Sequence, residues 1–180
     1  MIGLVRLTTL TDLLNCRIDR YECMRVGYGY DAHRLVEGRP LILGGEPIPH
    51  EKGLAGHSDA DVLLHAIGDA ILGAAALGDL GSHFPDTDEE WAGADSQRLL
   101  RHVVGKVQSQ NYAIQNVDST VILERPKLRP HIDQIRQNVA DCLDVTIDHV
   151  SVKATTNEGM GTIGAGEGAV AHAVCVLRAD

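Results

Sequence analysis

Hydrophobic and polar positions change period several times along this chain. Arg25 to Tyr30 alternates and reads as a strand. Leu41-Ile42-Leu43-Gly44-Gly45-Glu46-Pro47-Ile48 reads as a hairpin turned at Gly44-Gly45. From Ser58 to Leu77 the apolar positions fall at helical spacing, and Ser58 with Asp61 three residues on has the S-x-x-D form of a capping box. The same reasoning predicts helices from about Asp95 to Asn111 and from about Arg129 to Leu143. Strands are predicted at Val117 to Leu123, Val150 to Thr155 and about Gly168 to Arg178, the last two bracketing a glycine-rich loop. No internal repeat or low-complexity tract interrupts this order. It describes an α+β or α/β sandwich with helices on one face of a sheet.

Composition narrows the picture. A chain of 180 residues with 44% hydrophobic content is long enough for one well-buried domain. The net charge of −9 leaves no electropositive surface for nucleic acid or anionic lipid, so neither nucleic acid nor membrane is expected as a partner. No apolar run approaches the ~20 residues of a membrane span. Cys16, Cys23, Cys142 and Cys175 are scattered and form no C-x-x-C pair, which suits reduced thiols and a cytoplasmic location. The first 23 residues lack the apolar stretch of a signal peptide, and Asp12, Asp19 and Glu22 argue against a transit peptide. They read as a short amphipathic helix or, preferably, as an extension outside a core domain that spans residues 24–180.

The chemistry begins at Gly29-Tyr30-Asp31-Ala32-His33. Residues i and i+2 of a strand share a face, roughly 6.5–7 Å apart, so Asp31 and His33 can converge on one ion. The same pair would also suit a solvent-facing strand end. On the Ser58 helix, Asp61, His65 and Asp69 form a polar stripe at i, i+4 and i+8 among Val62, Leu63, Leu64, Ile67, Ile71 and Leu72. A helix apolar elsewhere has little exposed surface to spare, so the stripe is expected to line a cleft or interface. The flanking carboxylates are candidate outer partners for the His65 ring. Asp31, His33 and His65 would give three N/O ligands with a fourth position open, the arrangement of a catalytic zinc.

Taken in order, these segments resemble a known family. Asp31-Ala32-His33, Gly53 to Ala66, Leu77 to Gly81, Phe84 to Asp88, Pro126-Lys127, Val152 to Glu158 and Gly166-Glu167-Gly168 resemble the 2-C-methyl-D-erythritol 2,4-cyclodiphosphate synthases, with spacing intact from Met24 onward. The resemblance implies an α+β fold: a single-domain two-layer sandwich, a mixed β-sheet with helices packed on one face, assembling as a homotrimer with active sites between subunits. It implies conversion of 4-diphosphocytidyl-2-C-methyl-D-erythritol 2-phosphate to the 2,4-cyclodiphosphate with release of CMP, in non-mevalonate isoprenoid biosynthesis. Zn2+ would be held by Asp31, His33 and His65, and a second divalent ion, Mg2+ or Mn2+, by Glu158. His57 and Thr156 would meet the phosphates as charge develops. The methylerythritol phosphate would lie against Asp31, Ala32, His33, His57, Ser58, Asp79, Leu80 and Gly81, together with Phe84, Pro85, Asp86, Thr87 and Asp88. The cytidine side would be formed by Leu123, Glu124, Arg125, Pro126, Lys127, Leu128 and Arg129 with Ala154, Thr155 and Thr156, and Asn157 and Glu158 would also contact the substrate.

Two departures accompany the match. The family often carries an aromatic and an arginine in the glycine-rich loop, lining a trimer-axis cavity, where this chain has Thr162 and Ala165. Isoprenoid-phosphate binding there is therefore not carried over. The first 23 residues lie outside the match. The same triad would also serve a zinc-dependent phosphoesterase that activates water, and the nucleotide pocket alone would serve a non-catalytic CMP-binding module.

Overall fold

The long first strand, β1 (Met24–Glu37), sets the geometry of everything that follows. Its odd-numbered residues from Gly27 to Leu35 turn inward, so Gly27 and Gly29 are buried while Val26, Tyr28 and Tyr30 are exposed. Asp31 and His33 belong to the same inward face as the two glycines. The computed structural model describes residues 24–85, 91 and 93–179, and the predicted extension over residues 1–23 lies outside them.

Helix α1 (Val62–Ala75) lies directly on the two glycines. A Cβ at Gly29 would strike the Ala66 carbonyl, and one at Gly27 the Ala70 carbonyl and the Ala74 backbone. One helical turn, about 5.4 Å, nearly matches the two-residue strand step of ~6.6 Å. The helix therefore runs back along the strand with Ala66 and Ala70 seated on successive glycines. This close approach carries the first turn of α1, where His65 sits, over Asp31 and His33.

The remaining strands are β2 (Leu41–Leu43), β3 (Glu46–Ile48), β4 (Lys52–Leu54), β5 (Tyr112–Ile122), β6 (Val150–Thr155) and β7 (Gly168–Ala179). Five form one sheet in the order β4-β1-β7-β5-β6, while β2 and β3 form a separate hairpin. β1 runs antiparallel to β7 from Met24 opposite Arg178 to Arg34 opposite Gly168. β5 pairs antiparallel with β7 but parallel with β6, so the sheet is mixed. The β2–β3 turn at Gly44 and Gly45 has positive φ at both residues, as a two-residue hairpin turn of the I′ kind requires.

Short α2 (Leu80–His83), then α3 (Ser96–Gln108), α4 (Ile132–Leu143) and short α5 (Gly161–Gly164) complete the α+β architecture. Helices α1, α3 and α4 pack together above the sheet. The core joins Leu63, Ile67 and Ile71 of α1 to Leu100 and Val103 of α3 and Ile135 and Val139 of α4. On the opposite sheet face Val26 is 69% and Tyr28 61% exposed, with Tyr30 and Val174 beside them.

Several boundaries differ from the sequence expectation. The first strand extends to Glu37, because the β7 ladder continues through the polar residues to Arg34 and pairing with β4 then carries Leu35 to Glu37. The main helix starts at Val62 rather than Ser58. Asp61 is its N-cap, accepting from Leu63 N at 3.2 Å and Leu64 N at 3.1 Å, so no Ser58 capping box forms. β5 begins at Tyr112, five residues before the predicted strand, and the third predicted helix opens with a 3-10 turn at Arg129–His131. β4 and α2 fall in stretches for which no element is predicted, and α5 falls in the glycine-rich loop.

Candidate active site

Three side chains from two elements meet at the first turn of α1. Asp31 Oδ2 lies 2.9 Å from His33 Nε2 and 2.9 Å from His65 Nδ1, and the two ring nitrogens are 3.3 Å apart. Among the described residues this is the group whose donor atoms could hold one metal ion. One carboxylate oxygen and two imidazole nitrogens make a set suited to zinc. Ligands of a tetrahedral ion with bonds of about 2.0–2.1 Å stand roughly 3.4 Å apart, close to the spacing found here.

Burial and charge are finely opposed in this cluster. Burial pushes the Asp31 carboxyl up, but hydrogen bonds from His33 and His65 outweigh it and hold Asp31 well below the usual carboxylate range. Burial also disfavours a charged His65 ring, yet the Asp31 hydrogen bond, with the charges of Asp31, Asp61 and Asp59, leaves His65 raised. The Asp31 anion and the His65 ring thus favour each other's charged forms.

The polar stripe on α1 divides by role. His65 and Asp69 line a cleft of about 320 Å³, with the Asp69 carboxylate accepting from Leu80 N at 2.8 Å. Burial raises Asp69 in spite of that bond. Asp61 departs from the expected stripe: it is fully buried beneath the cleft, where its carboxylate caps α1 and accepts from Gly45 N at 2.8 Å. Burial pushes its acid up to about 6 against those donors. The outer partners of His65 are Ser96 Oγ at 3.0 Å and Ser58 Oγ at 3.2 Å, not the flanking Asp61 and Asp69.

The same cleft collects His57, Ser58, Leu80, Gly81 and Phe84 from the sequence reading and adds Gly56, Trp91 and Leu99. Arg39 donates to the Gly56 and Ser58 carbonyls at 2.9 and 2.6 Å, pinning the loop on either side of His57. Asp79 lies outside the cleft lining and caps α2 through Ser82 N at 2.8 Å. Ala32 faces the other side of β1, in a small hollow with Thr162 and Ile163. Asp86, Thr87 and Asp88 lie outside the described residues.

A second cleft of about 360 Å³ gathers Leu123, Glu124, Pro126, Lys127, Leu128 and Arg129 with Ala154, Thr155 and Thr156. Glu124 fixes its edge by accepting from Asn157 N at 3.2 Å, and Thr156 Oγ1 donates to Glu158 Oε1 at 2.7 Å. The two clefts share no lining residue within one chain. Glu158 and Thr156 therefore stand apart from the Asp31, His33 and His65 cluster. Sequence reasoning missed Asp59, Ser96, Trp91 and Arg39. Asp59 lies inside the matched Gly53 to Ala66 segment but received no role there, and Ser96 reaches His65 from 31 positions away.

A mixed sheet with helices on one face, two clefts and an Asp/His/His cluster at a strand–helix junction make an α+β fold with one group that could hold a cation at the end of a polar cleft. The sequence model of the YgbB family matches residues 24–178, and the chain belongs to that family. A relative from Salinibacter ruber, 2-C-methyl-D-erythritol 2,4-cyclodiphosphate synthase, is 66% identical over 86% of this chain and 99% of its own. A solved 2C-methyl-D-erythritol-2,4-cyclodiphosphate synthase in a CDP-bound form is 38% identical with a TM-score of 0.79, covering 85% of this chain and 99% of that one. The bifunctional IspDF from Campylobacter jejuni aligns with a TM-score of 0.84 at 40% identity over 87% of this chain, which spans only 42% of that longer protein.

Proposed function

We propose that this chain converts 4-diphosphocytidyl-2-C-methyl-D-erythritol 2-phosphate to 2-C-methyl-D-erythritol 2,4-cyclodiphosphate and CMP, with residues 24–180 as the catalytic domain. The observation that carries this reading is the convergence of Asp31, His33 and His65 within 2.9–3.3 Å at one end of a polar cleft, in a chain of this family. Asp31, His33 and His65 would hold Zn2+, and Glu158 a second divalent ion, Mg2+ or Mn2+. When bound, these ions supply Lewis-acid charge neutralisation and a template for two phosphates.

The reaction asks little proton chemistry of the protein. The substrate's 2-phosphate is already an anionic nucleophile. A P–O–P link forms at the β-phosphorus while the bond from that phosphorus to CMP breaks, and no water is consumed. The obstacle is bringing two anions together, so the protein's work is positioning and electrostatics. His57, held by the Arg39-pinned loop, and Thr156 would donate to the phosphates as charge develops. Leu80, Phe84 and Leu99 offer an apolar wall to the methylerythritol carbons. Pro126, Leu128 and the Thr155–Thr156 strand end would take the cytidine.

The separation of the two clefts supports a homotrimer, in which the metal cleft of one copy meets the nucleotide cleft of its neighbour. The exposed Val26, Tyr28, Tyr30 and Val174 provide an apolar face for such packing. Incubation with the diphosphocytidyl substrate, with and without chelator, tests the proposal by phosphorus NMR and mass. The expected products are CMP and a cyclic diphosphate lacking a terminal monoester signal, formed only with metal. Linear methylerythritol diphosphate or free phosphate would instead show a phosphoesterase, and binding of CMP without turnover a non-catalytic module.

A further inference from the structure

His65 offers Nδ1 to the Asp31 and His33 cluster, and its other ring nitrogen points into a buried hydrogen-bond chain. Nε2 lies 3.0 Å from Ser96 Oγ, a side chain almost fully buried at the start of α3. Ser96 is gripped at two points by Asp59. Its hydroxyl donates to Asp59 Oδ1 at 2.5 Å, and its backbone N–H donates to Asp59 Oδ2 at 3.0 Å. Asp59 is itself fixed, donating from its backbone to Ala94 O at 3.2 Å and accepting from Asp61 N at 3.2 Å.

The directions in this chain follow from donor and acceptor inventory. A carboxylate only accepts, and a serine hydroxyl has one hydrogen. With that hydrogen committed to Asp59, Ser96 Oγ presents lone pairs to the ring, so Nε2 must carry the N–H. In the metal-free protein Nδ1 donates its own hydrogen to Asp31 at 2.9 Å, and that hydrogen is the one a cation would displace, leaving the Nδ1 lone pair to the metal while Nε2 keeps its N–H. Ser58 Oγ, 3.2 Å from Nε2, accepts from Ala60 N at 3.1 Å and keeps a second lone pair able to accept from the same ring N–H.

We propose that Asp59 and Ser96 are positioning residues that lock His65 in its Nε2–H form and orient Nδ1 as a metal ligand. This rests on the reading of Asp31, His33 and His65 as a cation site. Neither Asp59 nor Ser96 touches that site directly. They act through the ring, as outer partners of ligating histidines do, where loss typically costs about 10–100-fold in metal affinity.

The test measures zinc dissociation constants by competition with a chromophoric chelator, alongside melting of the metal-free proteins. Ser96→Ala is expected to weaken zinc binding about 10–100-fold with metal-free melting close to wild type. Ser96→Thr, which keeps the hydroxyl, is expected to restore affinity to within about threefold of wild type. Asp59→Asn is expected to lose at least as much as Ser96→Ala, because its amide can donate to Ser96 Oγ and turn that hydroxyl's hydrogen toward the ring. Where Ser96→Ala fails to fold, Asp59→Asn carries the same test with side-chain volume kept. Zinc lost in His65→Ala but unchanged in Ser96→Ala or Asp59→Asn overturns the relay alone. Equal zinc affinity in wild type and His65→Ala overturns the metal reading and the relay with it.

Discussion

His65 and Asp61 sit one turn apart and serve opposite ends of the same problem. His65 faces the cleft and gives its Nδ1 to Asp31; Asp61 faces the core and gives its carboxylate to the helix end and to Gly45. His65→Ala is expected to abolish stoichiometric zinc binding while the far-UV spectrum stays native, as read by metal analysis after dialysis. Asp61 carries a pH dependence of its own. Its folded-state value of about 6 lies above the ordinary carboxyl value near 3.9, so the folded protein holds this proton more tightly than the unfolded chain. The stability it confers is complete below about pH 4 and is lost as pH rises to about 6. In urea unfolding of metal-free protein, wild type is expected to lose about 1–3 kcal/mol relative to Asp61→Asn between those pH values. A difference that stays level or grows over that range would contradict the assignment. At this scale the Asp31-Ala32-His33 spacing was legible because strand geometry fixes which residues share a face. Asp59 and Ser96 were not, since two residues 37 positions apart leave no periodic trace.

Between elements, the decisive contact is the absence of side chains at Gly27 and Gly29. Gly29→Ala drives a methyl into the Ala66 carbonyl, a backbone atom that cannot rotate away. It is expected to cost about 1–3 kcal/mol, and to weaken zinc binding by lifting His65 from Asp31 and His33. Gly105→Ala on α3 is the counterpart. A Cβ there meets nothing within 4 Å, so it is expected to stabilise by about 0.5–1 kcal/mol through helix propensity alone. Urea midpoints of the two variants on either side of wild type would bear out both readings. The helices and hairpin were legible from periodicity and from Gly44-Gly45. The helix start was misplaced because Ser58 and Asp61 both have capping chemistry, and only packing decides between them. Ser58 is occupied with Ala60 N and the His65 ring, leaving Asp61 to cap.

Across the whole molecule, one chain holds two clefts that share no residue and exposes an apolar sheet face. Both features support the proposed trimer. Sequence periodicity could locate the strand but not reveal which of its faces would meet another copy. Tyr28, whose hydroxyl bonds His172 Nδ1 at 2.8 Å, lies at the middle of that face, opposite Val174 on β7. Tyr28→Asp is expected to shift sedimentation from a three-copy mass toward a single copy and to lower turnover by more than tenfold. A single-copy species with full activity would contradict the shared site. Among the described residues no helix is long and apolar enough to cross a membrane.

The claim beneath all of this is that a strand and a helix aim three donors at one cation. Anomalous diffraction at the zinc edge, on crystals grown with zinc, tests it most directly. A single strong peak about 2 Å from Asp31 Oδ2, His33 Nε2 and His65 Nδ1 is the predicted result. Full occupancy elsewhere, with none among these three atoms, would contradict it.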